Sequence, residues 1–271
     1  MPELPEVETI RNNLRLGTAE CASLLGKTIC KVALLWSPSV VEPCEEEFLK
    51  SLPGQMILEI GRRGKYLIFS LSRKVLLFHL GMSGDLLVEP SSFPFAPHYR
   101  LVLFFDDGQR LAFNDPRKFG RIWLLDDPLK IFASLGPEPL DDDLTVHDLF
   151  QRLQRHRRQL KPLLLDQGFL AGMGNIYVDE ALFAARLHPM RLSHHVTFQE
   201  SERLLDSMRS VLQEAILRNG SSIDWVYQGG EFQNSFHVYQ RTGEPCLECG
   251  ATIQRIKLGQ RGTHFCPICQ K

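Results

Sequence analysis

The sequence predicts an α+β protein with more than one domain, and three features indicate this fold class. Apolar residues at helical spacing open the chain, short strand-like segments follow, and helical patterns fill the second half. The 271 residues exceed the usual size of a single domain. Two C-x-x-C pairs in the last part of the sequence indicate a small metal-bound module. We therefore expect an N-terminal helix with an antiparallel β-sandwich, followed by a helical domain and a zinc finger.

The first predicted helix covers residues 2–16, in which Leu4, Val7 and Ile10 share one face. Gly17 then ends the helical pattern. Strand-like segments separated by Gly or Asp-Gly breaks follow at 28–35, 55–60, 65–71, 75–80, 100–105, 110–113 and 121–125. Their apolar residues are numerous enough to bury one face against another sheet, which predicts a sandwich.

A Pro-rich and acidic stretch, LGPEPLDDD, is predicted to separate the β-rich half from the helical half. Helical patterns flank a glycine-rich turn, AGMGN at 171–175, and a long amphipathic helix is predicted at 197–218. The predicted domain limits are 1–134, a linker at 135–143, 144–235 for the helical domain and 236–271 for the zinc-finger β-hairpin.

The charge balance gives only a mild indication about partners. The net charge of −1, from 31 basic and 32 acidic residues, argues against a uniformly basic nucleic-acid binder. The segment FQRLQRHRRQLK at 150–161 is nevertheless strongly basic, and is either a binding face or a solvated surface. The turn at 172–175 precedes a helix, so it is either an anion site or a plain helix–helix turn.

No stretch of the sequence approaches the roughly 18 apolar residues of a membrane span. The first residues are acidic and lack the apolar core of a signal peptide. We therefore expect a cytoplasmic protein without a membrane partner. A long apolar surface stripe is not evident in the sequence, so we expect a monomer.

The four cysteines of the C-x-x-C pairs have the spacing of a zinc ribbon. They are Cys246, Cys249, Cys266 and Cys269. Four thiolates complete a closed tetrahedral site with no position for water, so one structural Zn²⁺ is predicted rather than a catalytic one. Such a module is too short to bury a core of its own and depends on the metal. The pattern does not distinguish a DNA, RNA or protein ligand.

The start of the chain, MPELPEVET, resembles the N-terminal signature of the formamidopyrimidine-DNA glycosylases. The resemblance continues, in order, at RRGKYLIF (62–69), HLGMSG (79–84), NDPRKFG (114–120), LKPLLLDQGFLAGMGNIYVDEALF (160–183) and QRGTHFCPICQ (260–270). The related endonuclease VIII proteins usually have Gly at position 4 and tend to lack an Arg-x-Phe pair. Leu4, Arg117 and Phe119 therefore favour the purine-directed branch.

This resemblance implies a helix-two-turn-helix domain before the zinc finger and an activity in base-excision repair. The implied enzyme is a DNA glycosylase with AP lyase activity that removes 8-oxoguanine and formamidopyrimidines from double-stranded DNA. Its partners would be DNA with oxidised bases or abasic sites, in the bacterial nucleoid or another DNA-containing compartment.

The resemblance also implies the catalytic residues. Removal of Met1 would free the secondary amine of Pro2, which attacks the sugar and forms a Schiff base before β,δ-elimination. Glu3 would act as general acid toward the sugar ring oxygen, and Glu6 would hydrogen-bond near the amine. Lys65 would neutralise a phosphate beside the lesion; without the resemblance, it would be interpreted as a surface lysine.

Six further residues are implied to contact DNA. They are His79, Met82, Arg117, Phe119, Asn175 and Arg261. Met82 and Phe119 would fill the space left by the extruded base, and Arg117 would donate to the orphaned cytosine. Asn175 and Arg261 would hold phosphates around that position, Arg261 from between the two strands of the zinc hairpin. Taken individually, Met82 would be a core residue and Phe119 a strand residue.

One segment departs from the family pattern. Residues 220–239, which would close over the extruded base, are a few residues shorter than the family norm. A shorter lid would shift the preference toward formamidopyrimidines or oxidised pyrimidines. The alternatives are therefore an endonuclease VIII-like glycosylase for oxidised pyrimidines and a non-catalytic zinc-containing nucleic-acid-binding protein.

Overall fold

The computed structural model describes residues 1–19, 21–222 and 229–271. The chain forms two compact units, one built mainly of Met1–Ala133 and the other of Ser134–Ser221 with Glu231–Lys271. Residues 223–228, the central part of the predicted lid, lie outside the described residues. The finer domain limits inferred from the sequence remain predictions.

The first unit contains three helices and nine strands among its described residues. In chain order they are α1 (Leu4–Leu16), β1 (Ile29–Leu34), β2 (Val40–Glu42), α2 (Glu45–Ser51), β3 (Ile57–Arg63), β4 (Tyr66–Leu71), β5 (Val75–His79), β6 (Asp85–Pro90), β7 (Tyr99–Phe105), β8 (Gln109–Asn114), β9 (Arg121–Leu125) and α3 (Leu129–Phe132). All seven segments predicted as strands form strands. Four elements of this unit, α2, α3, β2 and β6, were not predicted from the sequence. β2 has only three residues, too few for a period-2 pattern to be recognised.

The strands form two sheets, with the orders β1-β7-β8-β6 and β2-β9-β5-β4-β3. The pairs are antiparallel except at one edge, where β2 runs parallel to β9. The prediction of antiparallel β-structure is therefore confirmed apart from this edge strand. β2 lies far from β9 in the sequence, so no hairpin turn constrains the direction of the pair.

Apolar side chains of both sheets and of α1 form the core of the first unit, as the sandwich prediction requires. Phe78 of β5 and Phe113 of β8 meet across the sheets with ring centroids 5.6 Å apart. Both side chains are almost completely buried. Val7 and Ile10 of α1 belong to the same cluster, which fixes the first helix against the sheets.

The second unit contains four helices and one β-hairpin among its described residues. In chain order they are α4 (Val146–Gln154), α5 (Leu160–Leu164), α6 (Asn175–Ala184), α7 (Phe198–Leu217), β10 (Gln254–Leu258) and β11 (Arg261–Phe265). The predicted long helix corresponds to α7, which starts with a capping box between Thr197 and Glu200. In the described parts of the chain, no helix is both long and apolar enough to cross a lipid bilayer.

Candidate functional site

Two buried carboxylates hold the start of α1 beside Pro2. Glu3 and Glu6 are each only 2% exposed. The Glu3 N–H donates to Glu6 Oε2 at 2.8 Å, and the Glu3 side chain accepts from the Glu6 backbone N–H, so the two residues form a reciprocal capping box. Pro2 is buried immediately before them. Its nitrogen is in the peptide bond to Met1, so a basic amine exists at Pro2 only after Met1 is removed.

Lys65 lies in the tight turn between β3 and β4. Arg63 pairs with Tyr66, which leaves Gly64 and Lys65 as the two turn residues, and Gly64 has a positive φ of 56°. Lys65 is only 6% exposed, so it is not the surface lysine that its position in a turn would suggest. Close by, Arg62 Nε donates to Glu8 Oε2 at 2.7 Å, which ties β3 to α1.

His79 ends β5, paired with Tyr66 on one side and Arg121 on the other. Burial, and then the positive charges of Lys65 and Arg121, lower the pKa of His79 from 6.5 to about 4. His79 Nδ1 accepts a hydrogen bond from the Gly81 N–H at 3.3 Å, which assigns the ring proton to Nε2. At neutral pH, His79 therefore contributes one N–H donor and no charge.

The three residues expected to fill the vacated base-pair space come from two loops that are in contact. Met82 lies in residues 80–84, and Arg117 and Phe119 lie in residues 115–120. Arg117 and Phe119 are exposed, and the guanidinium carbon lies 5.2 Å from the Phe119 ring centroid. Met82 is half-buried. The structure therefore brings an aromatic ring, a cation and a flexible thioether to one edge of the sandwich.

Asn175 is the first residue of α6, directly after Gly174. This position is compatible with both interpretations of the turn at 172–175, an anion site and a plain helix–helix turn. Asn175 Nδ2 lies 3.4 Å from Tyr239 Oη, and its buried Oδ1 has no hydrogen-bond partner among the described residues. Exchanging the amide N and O would let the Tyr239 hydroxyl donate to Oδ1 and leave the NH₂ group to donate elsewhere.

Lys161 corrects the interpretation of the basic segment. Lys161 belongs to the basic segment 150–161, predicted to be a binding face or a solvated surface, but its side chain is fully buried. Its Nζ lies 2.6 Å from Asp179 Oδ1 and 2.8 Å from the carbonyl oxygen of Gly262. Lys161 therefore connects α5, α6 and the β10–β11 hairpin, and does not contribute a surface charge.

Asp179 and Glu180 of α6 are further residues that the sequence analysis missed. Asp179 Oδ2 accepts from the His264 N–H at 2.9 Å, and Glu180 accepts from the backbone N–H groups of Val238 and Tyr239 at 3.0 and 2.8 Å. The adjacent carboxylates therefore fix the hairpin and the segment leading to it. The sequence contains a signal for this role, since two adjacent acids lie within the otherwise apolar run NIYVDEALFA. Acids in such a run are expected to be buried, and buried charges need partners.

Arg261 is exposed at the tip of this hairpin. It is the first residue of β11 and pairs with Leu258, directly after the turn of the zinc hairpin. Gly259 and Gln260 form the turn, both with positive φ, as a type I′ turn requires. Since Lys161 binds the carbonyl of Gly262, the residue after Arg261 is anchored to the helices.

The four cysteines lie together at the other end of the hairpin. All four Sγ atoms are within 4.8 Å of one another. The Cys246–Cys269 and Cys249–Cys266 Sγ distances are 3.9 and 3.5 Å. Thiolates bound to one zinc ion at the usual bond length are about 3.8 Å apart. The donor set and its geometry therefore fit one structural zinc ion.

Family models match three consecutive parts of the chain. The Formamidopyrimidine-DNA glycosylase N-terminal domain matches residues 1–122, and the H2TH domain of the same glycosylase matches residues 135–226. The zinc finger found in FPG and IleRS matches residues 243–271. The order agrees with the predicted sandwich, helical domain and zinc finger.

Similar proteins extend over the full length. The formamidopyrimidine-DNA glycosylase of Chloroflexus aurantiacus is 45% identical over 277 residues, covering 100% of this chain and 98% of that protein. The one from Ligilactobacillus salivarius is 42% identical over 279 residues, covering 100% and 99%. Lactococcus lactis Fpg bound to abasic-site DNA superposes with a TM-score of 0.92 at 37% identity, covering 100% of both chains. MutM in complex with DNA containing carbocyclic 8-oxo-G gives 0.91 at 38%, with the same coverage. The chain belongs to the formamidopyrimidine-DNA glycosylase family.

Proposed function

We propose that this protein is a base-excision repair glycosylase and AP lyase that removes oxidised purines from double-stranded DNA through Pro2. The observation that carries the proposal is the position of Pro2, buried directly before the reciprocal pair Glu3 and Glu6. A helix start does not require two carboxylates that are 2% exposed. The abasic-site and 8-oxo-G DNA complexes of the similar proteins support the substrate class.

Pro2 acts as the nucleophile after Met1 is removed. An α-amino group titrates near pH ~8, so a useful fraction is neutral in the cell. The nitrogen of Pro2 bonds to C1′, the glycosidic bond breaks, and its electron pair leaves with the base, which takes up a proton. The nitrogen, a secondary amine, loses its proton after the bond forms. Glu3 then donates a proton to the sugar ring oxygen as the ring opens, which leaves a positively charged imine (an iminium) between the Pro2 nitrogen and C1′.

The imine then draws electrons from the opened sugar. Loss of a proton from C2′ expels the 3′ phosphate, and a second elimination expels the 5′ phosphate. Glu6 holds the backbone of Glu3, 2.8 Å from its N–H, and so keeps the general acid in place. The product is a one-nucleotide gap with a phosphate on each side.

Four residues bind DNA around this position. Lys65 neutralises a phosphate beside the lesion, and His79 donates its Nε2–H without adding charge. Asn175 donates its amide at the start of α6, and Arg261 supplies a guanidinium from the hairpin tip. These contacts orient the duplex and do not specify the base.

Met82, Arg117 and Phe119 occupy the space that the extruded nucleotide vacates. Met82 and Phe119 restore stacking, which offsets the few kcal/mol that extrusion costs. Arg117 donates to the orphaned cytosine, so the identity of the opposite base affects the rate. The zinc ion has a structural role because its four thiolates leave no open position. The working form is a single chain in the compartment that contains the DNA.

Borohydride trapping tests the nucleophile. With DNA containing 8-oxoguanine opposite cytosine, the mature protein should form a covalent adduct at residue 2. Pro2→Gly should abolish strand cutting at the lesion, whereas Pro5→Ala, a control in the same first turn, should retain trapping. A Pro2→Gly variant that cuts at the wild-type rate would overturn the mechanism.

A lesion panel tests the substrate assignment. We expect 8-oxoguanine and formamidopyrimidine opposite cytosine to be cut faster than thymine glycol, because the Arg117 and Phe119 pair of the purine-directed branch is present. Faster cutting of thymine glycol would instead support the endonuclease VIII-like alternative.

A further inference from the structure

The two loops that supply Met82, Arg117 and Phe119 are far apart in the sequence. We call residues 80–84 the Met82 turn and residues 115–120 the Arg117 loop. Met82 follows β5, whereas the Arg117 loop connects β8 to β9. Neither loop has a strand partner of its own at its tip, so other contacts must set their relative position.

Asp115 is the buried centre of these contacts, with an exposed fraction of 1%. Its Oδ2 accepts the Gly120 N–H at 2.7 Å, which closes the Arg117 loop on itself. Its Oδ1 accepts the hydroxyl of Ser83 at 2.8 Å, across 32 residues of sequence. Its carbonyl oxygen accepts Arg100 Nε at 2.8 Å, which ties the loop to β7. One side chain therefore contacts both loops, and its backbone contacts the sheet.

Ser83, in the Met82 turn, makes two hydrogen bonds to the Arg117 loop. Its Oγ accepts the Arg117 N–H at 3.3 Å while its hydroxyl proton is given to Asp115. Ser83 is 6% exposed, so water has little access to compete with these bonds. The resulting chain runs from the Arg117 backbone through the Ser83 hydroxyl to the Asp115 carboxylate.

Glycine allows the two backbones to approach closely. A Cβ on Gly81, which has φ +64°, would lie 2.6 Å from the carbonyl carbon of Phe119. A Cβ on Gly120 would lie 2.2 Å from Cζ of Phe113. The Met82 turn therefore rests directly on the backbone that carries Phe119, and a side chain at Gly81 would separate the two loops. A side chain at Gly120 would instead displace the Phe113 ring against which the Arg117 loop packs.

We infer that Asp115 and Ser83 are a positioning pair that locks the Met82 turn to the Arg117 loop, so that Met82, Arg117 and Phe119 enter the vacated base-pair space as one preformed unit. The inference rests on the proposed function of those three residues. Loops that move independently would lose conformational entropy when DNA binds, which weakens binding. Loops that are already held together lose this entropy during folding, so DNA binding does not bear the cost. Ser83 and Asp115 are 6% and 1% exposed, so they act through the loops that they hold.

Ser83→Ala is the sharpest test because it removes only the link between the loops. We expect kcat/KM on 8-oxoguanine opposite cytosine to fall about tenfold or more, because Ser83→Ala removes the hydrogen bond to the charged Asp115 and the acceptor of the Arg117 N–H. The preference for cytosine over adenine opposite the lesion should fall as well. Trapping of single-stranded DNA with an abasic site should be unchanged, because no orphaned base is present there. Ser83→Thr, which keeps the hydroxyl, should restore the preference.

Two further variants, one at Asp115 and one control serine, show whether the effect of Ser83→Ala is specific to the contact between the two loops. Asp115→Asn should have the same pattern as Ser83→Ala, because an amide offers only one acceptor where the carboxylate uses two. Ser201→Ala is the matched control: Ser201 is a buried serine of α7 whose Oγ donates to Thr197 O at 2.9 Å. It should leave the opposite-base preference unchanged.

Hydrogen exchange of the DNA-free protein provides a readout that does not depend on catalysis. Ser83→Ala should accelerate exchange in both 80–84 and 115–120. If exchange rises only in 80–84, or if Arg117→Ala lowers the cytosine preference and Ser83→Ala does not, the positioning pair is wrong. A third outcome separates the two proposals. If the wild-type protein excises no lesion, but Ser83→Ala still accelerates exchange in both loops, the proposed function is wrong and the contact between the loops is supported.

Discussion

The β-sandwich of the first unit and the zinc module of the second are stabilised by different interactions. The sandwich buries a large continuous cluster from two sheets and α1, with Phe69, Phe78 and Phe113 among its largest side chains. Hydrophobic burial of this kind does not depend on a metal or on the ionisation of any group. We therefore expect the sandwich to be insensitive to chelators.

The zinc module has a small apolar cluster that includes two of its own metal ligands, Cys246 and Cys266. Its hairpin is attached through charged groups, with Lys161 and Asp179 both fully buried. Removing one partner of such a pair leaves an uncompensated charge, whereas removing an apolar contact leaves only a cavity. The zinc module should therefore be disrupted by a single change more easily than the sandwich.

Zinc removal should produce the largest difference between the two regions. Structural zinc contributes on the order of 10 kcal/mol in small modules, so a chelator should release about one zinc per chain and unfold the module. Hydrogen exchange should rise across residues 243–271 and stay unchanged in the sandwich, and DNA binding should be lost.

A matched pair of cysteine variants controls for thiol chemistry. Cys266→Ser should reproduce the effect of the chelator, whereas Cys30→Ser, at an exposed cysteine of β1, should not. Retained DNA binding by metal-free protein would contradict the structural role of the metal.

The buried ion pair should give the next largest effect. Lys161→Met leaves the Asp179 carboxylate without its cation and should destabilise the second unit by about 3–5 kcal/mol. The double variant Lys161→Met with Asp179→Leu should cost less than the sum of the single variants, because neither charge is then left alone. These free energies of unfolding are measured by denaturant titration, with hydrogen exchange of β10 and β11 as the local probe.

The exposed pair Lys130–Glu42, with both side chains about half exposed, is the control. Lys130→Met should change stability by less than about 1 kcal/mol. Strictly additive costs for Lys161 and Asp179 would mean that the pair does not act as a unit.

The smallest expected effect concerns pH and the first unit. The folded-state pKa of His79 is about 4, against 6.5 unperturbed, so the unfolded chain binds the proton more readily. The stability contribution of neutral His79 is therefore complete above pH 6.5 and is lost as the pH falls toward 4. At pH 5.5 the loss should be about 1 kcal/mol.

Asp85 complicates the same pH range because burial raises its pKa to about 6, which gives a slope of opposite sign. We therefore expect the informative quantity to be the difference in melting temperature between wild type and His79→Gln, in which the contribution of Asp85 cancels. The melting temperature of wild type should fall relative to that of His79→Gln as the pH is lowered from 7.5 to 5.5. A constant difference would show that His79 does not titrate in this range.

Much of the fold could be predicted because its signals are local. The seven strand segments, α7 with its Thr197 cap and the four cysteines each follow from periodicity or spacing within a few dozen residues. The strand β2 was missed because its three residues give no period, and its parallel pairing depends on β9 at the far end of the unit. The boundaries of the predicted elements differ from the observed ones by up to three residues, because the ends of helices and strands are their least sharply defined parts.

The amino-acid sequence is sufficient to predict the chemistry of this protein, from a proline with two nearby acids, a zinc ligand set and a family signature in order along the chain. How those groups are held could not be predicted, because it depends on contacts between residues that are far apart in the sequence. In the sequence, Lys161 is interpreted as a surface cation. In the fold it is buried, paired with Asp179 and bonded to the carbonyl oxygen of Gly262, 101 residues further on. Asp115 has no role that the sequence indicates, and its function in the fold depends on the hydrogen bond from Ser83, 32 residues away. Hydrogen bonds between distant residues depend on packing, which no local pattern encodes, and burial then decides whether a charge is a surface group or an anchor.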